Sequence, residues 1–176
     1  MKHRIKEPFT KDKFSGLRVG DSVLLTGTIY AARDAAHKRL VGMIEEGQEL
    51  PIEIKDQIIY YAGPTPARPG HPIGSAGPTT SYRMDSFTPQ LLKLGLSGMI
   101  GKGPRNDEVK QAAAECGAVY FAAIGGAAAL ISQSIKEAEV VAFAELGTES
   151  IHRLYVEDMP LIVACDAAGG DIFDRK

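Results

Sequence analysis

Short apolar runs, separated by polar or glycine-rich breaks, follow one another along most of this chain. Val23–Tyr30 is rich in β-branched and aromatic residues and predicts a strand after a polar start. Over Arg33–Glu46, Ala36, Leu40, Met43 and Ile44 recur at helical spacing; Asp34 suits a helix start and Gly47 its stop. Ile58–Tyr61 is a second strand. Gly63–Pro78 is dense in proline and glycine, which predicts a long loop without regular structure, of the kind that is functional or disordered. A helix is expected over Asp85–Gly95 with Pro89 in its first turn, then a buried strand Gly98–Gly101. Asn106 is placed to cap a helix running to Cys116, stopped by Gly117. Ala118–Ala122 is a strand, Gly125–Gln133 a glycine turn into a small-residue helix, and Glu139–Ala144 a strand. Ile151–Val156 and Leu161–Cys165 are two more, split by a Glu-Asp-Met-Pro turn.

The middle of this pattern alternates strand and helix, as parallel α/β units do, while both ends are strand-rich, as in an antiparallel layer. The expectation is an α/β domain with a parallel or mixed sheet, an additional antiparallel layer and helices, spanning 1–176 as one unit. With 176 residues and 44% hydrophobic content the chain has material for a sizeable core. The formal net charge of −2 argues against nucleic acid as a partner, which calls for a basic excess. The polar start has no signal-peptide character, and no run reaches the ~20 apolar residues of a spanning helix. Two widely spaced cysteines, Cys116 and Cys165, suit a reducing compartment, and they are too few to hold an iron–sulfur cubane, which takes three or four thiolates. A cytoplasmic protein without membrane association is expected.

Three stretches carry candidate chemistry. In Gly77–Asp85 the hydroxyls of Thr79, Thr80 and Ser81 precede Arg83 at a loop-to-helix junction. Such a junction reads either as an anion site or as an ordinary cap with a surface arginine. In Met99–Asn106, Lys102 stands between two glycines at a strand end, where open α/β sheets bind ligands; a solvated turn lysine is the alternative. This stretch is not a P-loop, since Leu96 and Gly103 replace the required glycine and hydroxyl residue, and Asn106 spoils a dinucleotide fingerprint. In Ala32–Arg39, Arg33 opens a helix, Lys38 and Arg39 read as solvated, and His37 reads as a packed histidine rather than a base, with nothing near it in sequence to tune its pKa. Three cations at three junctions would suit a small dicarboxylate if they share one cleft.

The motifs ARDAAHKR (Ala32–Arg39), GPTTSYRMD (Gly77–Asp85), GMIGKG (Gly98–Gly103) and IGGAAAL (Ile124–Leu130), with the tail Val156–Phe173, resemble the beta subunit, or C-terminal half, of class I fumarases and L-tartrate dehydratases. The resemblance covers most of the chain. It implies a swivelling β/β/α fold and a hydro-lyase that is active only with an alpha subunit. That partner would hold a 4Fe–4S cluster, and two alpha and two beta chains would assemble. Fumarate hydration to malate is the first expectation and tartrate dehydration the second; a non-catalytic dicarboxylate-binding or assembly module is the alternative of a different class. The resemblance gives Arg33 and Arg83 the role of carboxylate clamps, Thr79 that of the base at C3, and Lys102 a place beside both; Thr80 is counted with the substrate-binding residues. Tyr82 departs from the small residue many relatives carry and, turned inward, would narrow the pocket. The loop Gly63–Pro78 and the tail Asp171–Lys176 are expected to be mobile in the isolated chain.

Overall fold

The computed structural model describes residues 2–74, 76–123 and 128–174. Its strands are β1 (Lys2–Lys6), β2 (Ser22–Ala31), β3 (Ile58–Tyr60), β4 (Gly98–Gly101), β5 (Val119–Ala123), β6 (Ile135–Ala142) and β7 (Ile151–Cys165). The helices are α1 (Lys11–Phe14), α2 (Asp34–Glu45), α3 (Thr88–Lys93), α4 (Asp107–Cys116) and α5 (Ala128–Ser134). Short 3-10 segments lie at Ser81–Met84 and Ala144–Glu149.

β2, β3, β4 and β5 run parallel, side by side. The long β7 then pairs antiparallel with β5 through its C-terminal part and with β2 along most of its length. The pairings therefore close a ring, β2–β3–β4–β5–β7–β2, with β1 added beside β2 and β6 beside β7. This is the expected mixed α/β fold, its parallel and antiparallel parts joined in one sheet.

Strand alternation sorts the core into two clusters. Leu25, Ile29, Ile58, Tyr60, Ile100, Phe121, Leu154 and Val163 point into the ring, where Phe9, Phe14 and Leu17 join them from the chain's start. Ile59, Met99 and Tyr120 point the other way, against Ala36 and Leu40 of α2, Leu91 and Leu92 of α3, and Ala113 of α4. β3, β4 and β5 are thus buried on both faces, which is why they read as unbroken apolar runs, whereas β2 alternates buried and partly exposed positions. α4 follows its sequence signals: Asn106 Oδ1 accepts the Val109 N–H at 2.8 Å, and Gly117 closes the helix at φ 73°.

Several elements differ from the sequence reading. β1 was not foreseen, because in KHRIK only Ile5 is buried and the edge strand has no apolar pattern to show. The turn expected over Glu157–Pro160 is a bulge inside one 15-residue strand. Asp158 adopts φ 50°, its N–H donates to Thr26 Oγ1 at 2.9 Å, and pairing with β2 resumes at Met159. β6 begins earlier than Glu139, at Ile135. The glycine turn of Gly125 and Gly126 lies outside the described residues. Instead of a free tail, Asp171 accepts from Lys110 Nζ at 3.0 Å and forms a bridge with Cys165, while the Ile172 N–H donates to Ala164 O at 2.8 Å. In the Gly63–Pro78 loop, Gly74 N–H donates to Thr65 O, the Tyr60 hydroxyl donates to Ala76 O at 2.5 Å, and Ile73 and Ala76 are buried. Among the described residues no helix is long and apolar enough to cross a membrane.

Candidate active site

The carboxyl ends of β2, β3 and β4 lie side by side; Arg33 and Lys102 follow two of them, and Arg83 comes in on the 3-10 segment Ser81–Met84. Arg33, separated from the end of β2 by Ala32 alone, forms the extended N-cap of α2 and makes no side-chain cap hydrogen bond. Its side chain lies against Gly63, just past β3; a β-carbon on that glycine would come within 2.9 Å of Arg33 Cδ and 3.0 Å of Thr148 O. Lys102 follows β4. The segment Thr79–Ser81 comes back between these two ends: Thr79 N–H donates to Tyr61 O at 2.7 Å, Ser81 N–H to Lys102 O at 2.9 Å, and Thr80 bridges Lys102 in parallel register. Thr79 and Thr80 are thereby laid between Tyr61, just past the end of β3, and the loop that carries Lys102.

Arg83 extends from the 3-10 segment toward α2, where its Nε meets Asp34 Oδ2 at 2.9 Å; Asp34 Oδ1 stands 3.9 Å from Arg33 Nε. Arg33, Asp34 and Arg83 share a cleft of about 420 Å³ with Ala35, Lys38, Ser86, Phe87 and Glu149. Among the described residues, Arg33 Nε and Asp34 Oδ1 are buried atoms without a hydrogen-bond partner. Glu149 Oε1 accepts the Ala35 N–H at 3.3 Å, so a carboxylate from a distant segment already lies at the N-terminus of α2. The structure thus joins Arg33 to Arg83 through Asp34, and Thr80 to Lys102 through backbone pairing. Lys102, Thr79 and Thr80 are outside the lining of the Arg33–Arg83 cleft.

His37 is fully buried, as a packed histidine should be. Its Nδ1 lies 2.8 Å from Arg33 O, so that nitrogen carries the proton, and its ring meets Tyr61 edge-on at 5.4 Å. Burial lowers its pKa to about 4; the Arg33 carbonyl opposes that shift, Arg105 adds to it and Asp34 opposes it. The tuning invisible in sequence comes from Arg105 and from depth. Tyr82 is 66% exposed and does not narrow the cleft. Lys38 is solvated, whereas Arg39 pairs with Glu145 and covers the Phe143 ring at 4.8 Å.

Residues without a role in the sequence reading hold these loops. Arg105, with its side chain at 0% exposure, donates from Nε to Asp85 Oδ1 at 2.6 Å and from Nη2 to Thr88 Oγ1 at 2.9 Å, between the rings of Tyr61 and Tyr120. Asp34 had been read only as a helix-start acid. Glu149 enters the cleft from over a hundred positions away and leaves no local signal.

Among the described residues no group of three or more His, Cys, Asp or Glu side chains gathers as a metal site. Burial, with Asp171 close by, pushes the Cys165 thiol up to about 12. The donor set described here does not fit an iron–sulfur cluster.

The family model described as the fumarase C-terminus matches residues 2–176. This chain belongs to that family. Over 159 residues it is 46% identical to a protein of Escherichia coli (strain K12) named fumarate hydratase class I, anaerobic, covering 89% of this chain and 29% of that protein. It is 38% identical over 175 residues to fumarate hydratase 2 of Leishmania major, covering 97% of this chain and 31% of that protein. To a putative L(+)-tartrate dehydratase subunit beta of Methanocaldococcus jannaschii it is 40% identical over 172 residues, covering 94% of this chain and 88% of that one. The chain spans about a third or less of the fumarate hydratases it matches, and most of the tartrate dehydratase subunit. Fumarase C-terminus membership agrees with the resemblance carried by the four motifs.

Proposed function

We propose that this chain is the beta subunit of a 4Fe–4S-dependent hydro-lyase that interconverts fumarate and malate in the cytoplasm, with the cluster held by an alpha subunit in an assembly of two alpha and two beta chains. The observation that carries this reading is the opening of Arg33 and Arg83 onto one cleft at the carboxyl edge of parallel strands, in a fumarase C-terminus chain. Two planar guanidinium forks and the N-terminus of α2 suit a carboxylate. An incoming substrate carboxylate takes over Arg83 from Asp34, exchanging one charge-assisted pair for another.

The cluster, when the partner brings it, supplies a Lewis acid; the steps assigned to this chain are binding and proton transfer. Arg33 and Arg83 hold a terminal carboxylate, and Thr80 and Lys102 contact the substrate from the next strand end. Toward fumarate, the Thr79 alkoxide takes the proton from C3 of malate, the C–H electrons become the double bond, and the C2 hydroxyl leaves as water with a proton from an acid that the alpha subunit would supply. Hydration reverses each event. A threonine hydroxyl is a poor base, so the Lys102 ammonium has to stabilise the alkoxide.

The test is anaerobic co-expression with a cluster-bearing alpha chain, followed by assay of malate formation from fumarate. Turnover is expected, with a loss of about 100-fold or more on Lys102→Ala, the scale of a lost transition-state charge contact. Full activity in that variant contradicts the site. A second reading, L-tartrate dehydration, is favoured by the near-complete span of a tartrate dehydratase beta subunit; turnover of tartrate but not fumarate selects it. An intact assembly without either activity leaves a dicarboxylate-binding module.

A further inference from the structure

Lys102 is held from behind by a buried chain of hydroxyls. The Tyr120 oxygen on β5 lies 2.8 Å from Gly103 O and 2.7 Å from Ser81 Oγ. A carbonyl only accepts, so the single phenolic proton goes to Gly103 O, and Ser81 Oγ–H donates to the Tyr120 oxygen. Ser81 and Tyr120 are buried to 0% and 1% exposure. Ser81 also donates its backbone N–H to Lys102 O at 2.9 Å. Gly101 is glycine for the same reason, since a β-carbon there would overlap Ser81 Oγ. The Tyr120 ring is fixed in turn by the Arg105 guanidinium, 4.9 Å from its centroid and bonded to Asp85 at the end of the Thr79–Asp85 segment. The turn bearing Thr79 and Thr80 and the loop bearing Lys102 are therefore tied together through one phenol.

We propose that Tyr120 is a positioning residue for Lys102: its hydroxyl, linking Ser81 to the Gly103 carbonyl, sets where the lysine stands relative to Thr79 and Thr80. The proposal rests on the hydro-lyase reading for the use made of Lys102, but not for the existence of the clamp. Tyr120 touches no substrate. It acts by fixing the backbone on either side of a residue that does.

The test is Tyr120→Phe in the assembled enzyme, alone and combined with Lys102→Ala. A displacement of about an ångström in a catalytic group costs up to about a hundredfold, so kcat/KM is expected to fall about tenfold or more in the wild-type background. In the Lys102→Ala background the same substitution is expected to cost less than about twofold, because residues acting through one another are not additive. Equal losses in both backgrounds, or none in either, overturn the proposal. Amide hydrogen exchange on the same proteins provides a readout independent of turnover. The Ser81 amide, bonded to Lys102 O, is expected to exchange faster in Tyr120→Phe while the β5 amides keep their protection; unchanged Ser81 exchange overturns the clamp even if neither fumarate nor tartrate is turned over. Ser81→Ala breaks the chain from its other end and is expected to show the same dependence on Lys102, so the test survives if Tyr120→Phe folds poorly. Inactivity of the wild-type assembly alone counts against the hydro-lyase reading, not against the clamp.

Discussion

Arg105 Nε donates to Asp85 Oδ1 at 2.6 Å with both side chains buried, joining the end of the hydroxyl-rich segment to the loop that follows Lys102. Asp85 Oδ2 accepts the Asn106 N–H at 2.9 Å as well, so one carboxylate holds a guanidinium and the entry to α4. Removing one partner of a buried pair strands the other charge away from water. Asp85→Ala is expected to destabilise the chain by about 3–5 kcal/mol. Urea unfolding checks this; a loss below about 1 kcal/mol would mean that Arg105 finds another partner or water.

Arg83 and Asp34 form a pair of the opposite kind, with side chains 44% and 32% exposed, where screening leaves an ion pair worth about 0–1 kcal/mol. Arg83→Ala is therefore expected to leave the urea midpoint nearly unchanged while kcat/KM of the assembled enzyme falls about 100-fold or more. A parallel loss of stability and activity would make Arg83 a structural residue.

His37 gives the isolated chain a pH dependence. Its pKa falls from the ordinary 6.5 to about 4 in the folded protein, so the unfolded chain binds more protons between those values. Stability from this group is complete above about pH 6.5 and is lost as the pH falls toward 4, on the order of 3 kcal/mol across the window. Arg105 and Asp34 act on the imidazole with opposite signs, and Arg105 keeps its charge across that range. His37→Phe is expected to flatten the curve between pH 6.5 and 4. Thermal melts across that interval test it, and an unchanged slope contradicts the assignment.

Gly63 leaves room for Arg33. A β-carbon there would lie 2.9 Å from Arg33 Cδ and 3.0 Å from the Thr148 carbonyl, and the second of these contacts is backbone. Gly63→Ala is expected to displace the Arg33 side chain and raise KM for the dicarboxylate about tenfold, with a smaller effect on kcat, as loss of uniform substrate binding does. Unaltered KM would show that Arg33 is not a substrate ligand.

The central strands and α2 and α4 were legible in the sequence because their signals are local: short apolar runs for β2 to β5, apolar spacing in α2, and Asn106 and Gly117 at the two ends of α4. β1 was hidden because edge pairing uses backbone groups and needs only Ile5 as an apolar anchor. The bulge at Asp158 read as a turn because Glu-Asp-Met-Pro has turn composition, and only its partner Thr26 on β2 keeps the strand going. At the site, Arg33, Thr79, Thr80, Arg83 and Lys102 stand out by type and by junction. That Asp34 links the two arginines, that Glu149 lies over α2, and that Tyr120 backs Lys102 are relations across 49, 114 and 18 positions in turn, which no local pattern carries.

The most direct measurement is a crystal structure of the assembly with L-malate bound. One malate carboxylate is expected within hydrogen-bond distance of both the Arg33 and Arg83 guanidiniums, with Asp34 released from Arg83 and Thr79 facing C3. Malate bound elsewhere, with the Arg83–Asp34 pair intact and both guanidiniums out of reach of the ligand, would contradict the account.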